Sequence, residues 1–523
     1  MFTRKNYIIF IVAIAIVTAA YILMAVDPQP NGFGLLTLWF APPMLLIGFA
    51  LPCLGILGLD HVRSWRLHFR TGKHATGLVI WAIAMLTYGL TLEPTASLWD
   101  CSEFIAAAYK LQVPHTPGTP LSLLVGRMFT MLASGPTSVA YLLNFSSAFF
   151  SALCAYLLFH ILYYFATHTN TASRGGKSSV HAAAIPAELT SILAAALGSL
   201  TLVFSDTFWF SAVEAETYGI ACFFLLALVI LILRGRTLQG EKKERWLVLI
   251  AYLGGLSYCI HPMCVLALAL LPFYWYNNSN NVLAIRPLAL LLAGLILVFL
   301  INRLVAIGIF EFAFGADKFF VNSLGLPFYS GASFFILFMI IAFAVLIRKL
   351  PQWRSFSWAT VFLIIGFAPY IMLFIRSNHN PPIDETNPEN LPMIKAYMNR
   401  ESYPSSPLLY GPYFDAQVED VEAGRRIFHR AANRYEFSGT LSEYRFEKRR
   451  STILPRLYSN DSDHVDAYRQ WLGLKPGERP DFGDNLNFLF TYQLGHMYMR
   501  YLMFNFAGRE SDRQGGDWLR PWD

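Results

Sequence analysis

Charge is the scarce ingredient of this chain. Asp, Glu, Lys and Arg supply only 14% of its 523 residues, against about a quarter in soluble proteins, and the mean hydropathy is +0.43. That shortage excludes a solvated globule. Cysteine is scarce too: the six (53, 101, 154, 222, 259, 264) form no CxxC pair, so neither a zinc site nor a disulfide framework is indicated. No GxxxxGK[ST] loop and no HExxH pair occurs, which removes the P-loop phosphate cradle and the zinc-protease helix. The net charge of +6 is spread along the chain and calls for no nucleic-acid partner. What is present is apolar sequence in long runs. "NYIIFIVAIAIVTAAYILMAV" (6–26) is long enough to cross a hydrocarbon core of about 30 Å. It exceeds the apolar core of a signal peptide, so an uncleaved anchor after Arg4 and Lys5 is expected.

The apolar runs predict an all-α polytopic membrane protein with about eleven spans, near 7–26, 35–58, 74–92, 137–165, 187–204, 219–233, 246–259, 261–276, 285–306, 331–348 and 357–375. Alternate connections are basic. Arg4, Lys5, Arg63, Arg66, Arg70, Lys73, Arg174, Lys177, Arg234, Arg236, Lys242, Lys243, Arg245, Arg286, Arg348, Lys349 and Arg354 fall on one side; only Lys110, Arg127, Arg303 and Lys318 fall in the opposite short connections. The positive-inside rule then puts the N-terminus in the cytoplasm. Residues 91–127, the "DTFWFSAVEAETYG" loop and everything after Arg376 face outward, at a bacterial inner membrane. Residues 121–134 are too short to span and too apolar to float, which fits an interfacial or re-entrant helix. The expected organisation is a two-helix hairpin (1–60), a transmembrane module (74–375) with outer loop 93–136, and an extracytoplasmic region (376–523) returning to the membrane near 485–508.

The outer connections carry the chemistry. Asp100 and Glu103 share a helix face at three-residue spacing, reading as a general base and its neighbour or, more plainly, as an N-cap with an interfacial acid. "VPHTPGTP" (113–120) is a rigid turn that either reverses the chain or aims His115 and Thr116 at a phosphate or sugar. Glu214 and Glu216 stand at the mouth of a span, and His261 at another outer turn, where a hydrogen-bonded turn residue is the simpler reading. Arg127, Arg303 and Arg376 lie at outer ends against the charge trend. Snorkelling explains any one of them; together with the acids they suggest a site for a phosphate, which the guanidinium fork fits. Without nucleotide chemistry, the reaction draws on an activated lipid-borne substrate, and a polyprenyl-phosphate sugar is one. No cofactor is expected, although such acids also suit Mg²⁺ or Mn²⁺.

Several stretches resemble the transmembrane protein O-mannosyltransferase family: "SLWDCSEFIAAAYKLQVPHTPGTPLSLLVGR", "AVEAETYG", "RSNHNPPIDETNPEN", "YMNRESYPSSPLLYGPY" and "TYQLGHMYMRYLMFNFAGRESDRQG". The resemblance spans about residues 74–515. It implies a GT-C-like bundle with outer-face interfacial helices and a short extracytoplasmic C-terminal region. It also implies transfer of a hexose, mannose by analogy, from a polyprenyl phosphate to Ser/Thr of exported proteins. An acidic base in the first outer loop points to Asp100 or Glu103, with Arg127, Arg303 or Arg376 on the phosphate. Residues 1–60 resemble a separate small bacterial membrane family fused in front. Many relatives continue into more spans and a TPR-like domain, so either a short form or a need for a partner subunit in acceptor binding is expected, with membrane lipids as further partners. A non-catalytic subunit and a lipid or sugar transporter stay as alternatives.

Overall fold

The computed structural model describes residues 1–58, 72–173, 187–275, 285–404, 406–511 and 515–519. Arg63, Arg66, Arg70, Arg174 and Lys177, used above for topology, lie outside them. Two compact units emerge, residues 1–204 with 208–400, and residues 205–207 with 401–523.

The larger unit is a helical membrane bundle. Seven helices among the described residues are long and apolar enough to cross a membrane, or eight if Ala187–Val203 and the short helix after it count as one broken span. That is fewer than the eleven expected, for reasons visible in the chain. The 246–259 run is the apolar end of helix Gly240–Tyr258, whose first turns hold Glu241, Lys242, Lys243, Glu244 and Arg245. The 261–276 run is a 13-residue 3-10 helix, Pro262–Tyr274, interrupted by Pro272. Helix Gly240–Tyr258 crosses helix Arg354–Gly366 closely: a Cβ on Gly255 would meet the Leu363 carbonyl, and one on Gly366 the Tyr252 carbonyl. Small residues at such crossings let backbones approach where no hydrophobic effect drives helix association.

The N-terminal hairpin, helices Arg4–Ala25 and Ala41–Leu57, belongs to this unit. Arg376 fastens its connecting loop. This side chain is fully buried and donates from Nε to the Leu111 carbonyl (2.6 Å) and from its terminal nitrogens to Gly32 (3.0 Å) and Asn31 (2.7 Å). Tyr21 donates to the Ala368 carbonyl (2.8 Å), and His379 Nε2 lies 3.0 Å from the Met24 carbonyl. Arg376 therefore spends most of its fork on backbone carbonyls, at a fully buried position. Arg127 behaves alike: buried, it donates to the Leu38 (2.9 Å) and Tyr109 (2.7 Å) carbonyls.

The smaller unit departs from the all-helical expectation for the chain. Strands Val418–Arg430 and Tyr435–Phe446 form an antiparallel hairpin, and Tyr410–Pro412 pairs with Ser451–Ile453. Tyr413, Phe414, Leu457, Tyr468 and Phe488 make its small core. The 485–508 segment is helical through Phe482–Asn487, Phe488–Met499 and Arg500–Ala507.

Replacing Arg376 by Leu strands three buried carbonyls, a cost on the order of 3 kcal/mol. Arg376→Lys should recover little of it, because an ammonium cannot span carbonyls on separate segments. A denaturation midpoint of the solubilised protein that stays put in both variants contradicts this role.

Candidate functional site

The first turn of helix Cys101–Lys110 points chemistry in two directions. Residues two apart on a helix are about 200° apart, so Cys101 and Glu103 face opposite ways from one turn. Asp100 stands just before them at the N-cap position, yet its side chain makes no capping hydrogen bond. Its carboxylate is 59% exposed, so the N-cap reading of this residue is not what the structure shows.

Glu103 turns toward the proline-rich loop. One oxygen accepts from the His115 backbone N–H (2.7 Å) and the other lies 2.6 Å from His115 Nδ1, leaving Nε2 4.0 Å from an Asp100 oxygen. The hydrogen bond from Glu103 raises the His115 pKa, against the opposing effect of burial. Glu103 itself stays below the ordinary carboxylate range: burial pushes it up, but the bonds to His115 outweigh that. The loop is rigidly seated. Val113 N–H donates to the Ile383 carbonyl and the Val113 carbonyl accepts from Glu385 N–H (both 3.0 Å), while Tyr397 donates to the Pro114 carbonyl (2.5 Å). Gly118, at φ +87°, lies where a Cβ would strike Tyr397 and Leu373. Thr116 is buried inside this turn.

On the other face, Cys101 Sγ lies 3.8 Å from a Glu216 oxygen and 3.1 Å from Ser97 Oγ, which donates to Glu214 (2.5 Å). The loop holding these acids is tied down as Glu93 N–H donates to the Val213 carbonyl (3.1 Å) and Ser147 to the Glu216 carbonyl (3.2 Å). Burial, then the charges of Glu214 and Asp100, push the Glu216 carboxyl up to about 7. Burial pushes the Cys101 thiol up to about 12. Two triads have ligand atoms within 4.8 Å of one another, Asp100 with Glu103 and His115, and Cys101 with Glu214 and Glu216. The oxygen-rich first triad has the donor chemistry of a hard divalent cation.

His261 caps the 3-10 helix Pro262–Tyr274 by accepting from Met263 N–H (3.2 Å). Its ring also lies 5.7 Å from that of Tyr218, so it is both a turn residue and a neighbour of the acid loop. Arg400 joins the two halves electrostatically: its charge opposes protonation of His115, and adds to burial in lowering the His261 pKa. Arg303 is half exposed and pairs with Glu311 at 3.7 Å. Asp100, Glu103, His115, Glu214, Glu216 and His261 thus gather on one end of the bundle, whereas Arg127 and Arg376 are built into its framework. Sequence reasoning passed over Arg400, Ser97, Cys101 and Tyr218. Arg400 stood in plain view within "YMNRE"; the others carry no spacing that marks them.

Residues 100–284 match the family model described as the N-terminal domain of protein O-mannosyl-transferase TMEM260. This segment is similar to the O-mannosyltransferase family. The mouse (Mus musculus) protein O-mannosyl-transferase TMEM260 is 29% identical over 212 residues, 40% of this chain and 27% of the mouse protein. The matched part of the chain spans about a quarter of the length of that curated relative. Residues 404–490 match a family of unknown function (DUF8416), and no solved structure matches the chain. The matched segment contains Asp100, Glu103, His115, Glu214, Glu216 and His261, but neither Arg303 nor Arg376.

Glu216 gives the site a pH signature. Its folded pKa lies above the ordinary 4.5, so folding favours the protonated form. That stabilisation is intact below the ordinary value and is lost as pH rises through about 7. Between pH 5 and 8 the wild type should lose thermal stability relative to Glu216→Gln, the gap widening with pH. Parallel stability curves for the two proteins contradict the assignment.

Proposed function

We propose that this protein is a GT-C-type glycosyltransferase that moves a hexose, mannose, from a polyprenyl-phosphate donor to Ser/Thr hydroxyls of exported proteins. The reaction takes place at the extracytoplasmic face, with the N-terminus in the cytoplasm. The observation that carries the reading is the exposed Asp100 carboxylate beside a fixed Glu103–His115 pair, inside the segment that is similar to the O-mannosyltransferase family.

Of the two acids considered for the base, Asp100 is favoured. Both oxygens of Glu103 are engaged by His115, whereas Asp100 is open to an incoming hydroxyl. Asp100 takes the acceptor proton as the hydroxyl oxygen forms its bond to the sugar C1. The bond from C1 to the phosphate oxygen breaks, and the polyprenyl phosphate leaves with the electron pair, inverting C1. A positioned base of this kind contributes roughly 10²–10⁴-fold. Glu103 is a positioning residue that sets the orientation and charge of His115. Arg400, near both imidazoles, and the half-exposed Arg303 take the phosphate role first assigned to Arg127 and Arg376, since a preorganised cation stabilises the departing charge. Leu98 and Trp99, both exposed beside Asp100, offer an apolar lip to a prenyl chain.

Transfer from labelled polyprenyl-phosphate mannose to an acceptor peptide tests this. Asp100→Asn should cut the rate at least about 100-fold with donor binding retained. Glu103→Gln should cost less and displace the pH–rate profile, because His115 loses the partner that raises its pKa. Wild type that binds donor and acceptor yet forms no product overturns the reading; so does an Asp100→Asn variant with full activity.

A further inference from the structure

The opposite end of the same helices carries a second polar cavity. Its volume is about 270 Å³, and its lining includes Lys73, His160, Tyr163, Thr167, His168 and Arg234. Three helices meet there: the start of Gly72–Leu90, the later turns of Val139–Ser173, and the end of Tyr218–Gly235. At 1.5 Å per residue, Arg234 lies roughly 24 Å along its helix from Tyr218, which neighbours the acid cluster. The cavity is therefore separate from the site described above, close to one bilayer thickness away.

Its charge is one-sided. No Asp or Glu is among the lining residues, and neither Lys73 nor Arg234 has a carboxylate within ion-pair distance among the described residues. Lys73 Nζ rests over the Tyr163 ring at 5.6 Å, an alternative to full hydration. Among the described residues Glu188 acts on the cavity wall, bearing on Tyr163 from the start of helix Ala187–Val203. His160 Nε2 is buried with no hydrogen-bond partner, its ring 4.9 Å from that of His74. A buried, unsatisfied ring nitrogen is costly, and this one, beside a cavity and two cations with no carboxylate partner among the described residues, has a partner missing. Snorkelling alone would send Lys73 and Arg234 outward to water; it gives no reason for His160 to be left unpartnered.

We propose that this cavity binds a phosphate group, carried by an anionic phospholipid headgroup or present as free phosphate. Arg234 supplies the planar fork, Lys73 the point charge and His160 Nε2–H a hydrogen bond, three complementary ways of holding phosphate oxygens. Basic pockets between the ends of membrane helices are suited to headgroups in this manner. Such a ligand would clamp three helices whose other ends hold the acid cluster.

The test uses the full chain in phosphatidylcholine nanodiscs, titrated separately with phosphatidylglycerol and with inorganic phosphate, reading bound ligand by native mass spectrometry. Lys73→Gln and Arg234→Gln, both at partly or fully exposed positions, should each weaken saturable binding about fivefold. Thr167→Met, which fills the cavity without altering charge, should weaken it as well. Arg348→Gln, at the basic end of another helix, should leave it unchanged. Binding of the phospholipid alone assigns the lipid as source, and binding of phosphate alone assigns the free anion. Absence of saturable binding to either ligand overturns the proposal, as does equal weakening by Arg348→Gln.

Discussion

The Glu103 carboxylate holding the backbone and ring of His115 is the contact on which the acid site depends. It brings a helix start and a proline-rich turn into one geometry, and by engaging Glu103 it leaves Asp100 as the open acid. The arrangement relies on support from further away. Val113 is bridged to Ile383 and Glu385, and Tyr397 holds Pro114, so the loop that delivers His115 is seated on the stretch following the last long helix. Arg376 extends the same frame to the N-terminal hairpin by collecting carbonyls from Leu111, Gly32 and Asn31. The N-terminal hairpin is thus joined to the backbone of the site loop through one side chain.

Electrostatics divides the carboxylates into two kinds. Glu103 gains a partner and stays ionised, while Glu216, half-buried beside Glu214 and Asp100 with no cation bonded to it among the described residues, is pushed toward neutrality near physiological pH. Placing groups of similar chemistry in contrasting environments lets one segment hold acid and base roles at the same pH. The charge of Arg400 acts on both His115 and His261.

Much of this was legible in the sequence because membrane burial makes charge conspicuous. Asp100, Glu103, Glu214 and Glu216 stood out against apolar surroundings, and the structure gathers them. The arginines were harder to read. Sequence position placed Arg127 and Arg376 at the right end of the bundle, but whether a guanidinium meets a ligand or a backbone carbonyl is decided by tertiary contacts such as those to Leu38 and Gly32. The span count differs for a related reason: seven or eight of the described helices are long and apolar enough to cross, and the 13-residue 3-10 segment Pro262–Tyr274 is shorter than those. The Val418–Arg430 and Tyr435–Phe446 hairpin was missed because its faces are largely exposed, leaving none of the apolar alternation that marks a half-buried strand.

The measurement that bears most directly on the central claim is a cryo-electron microscopy structure of the protein with a polyprenyl-phosphate mannose analogue bound. The account predicts the sugar C1 facing Asp100, with the phosphate toward Arg400 and Arg303. Donor density elsewhere in the bundle, with the Asp100, Glu103 and His115 group facing empty solvent, contradicts it.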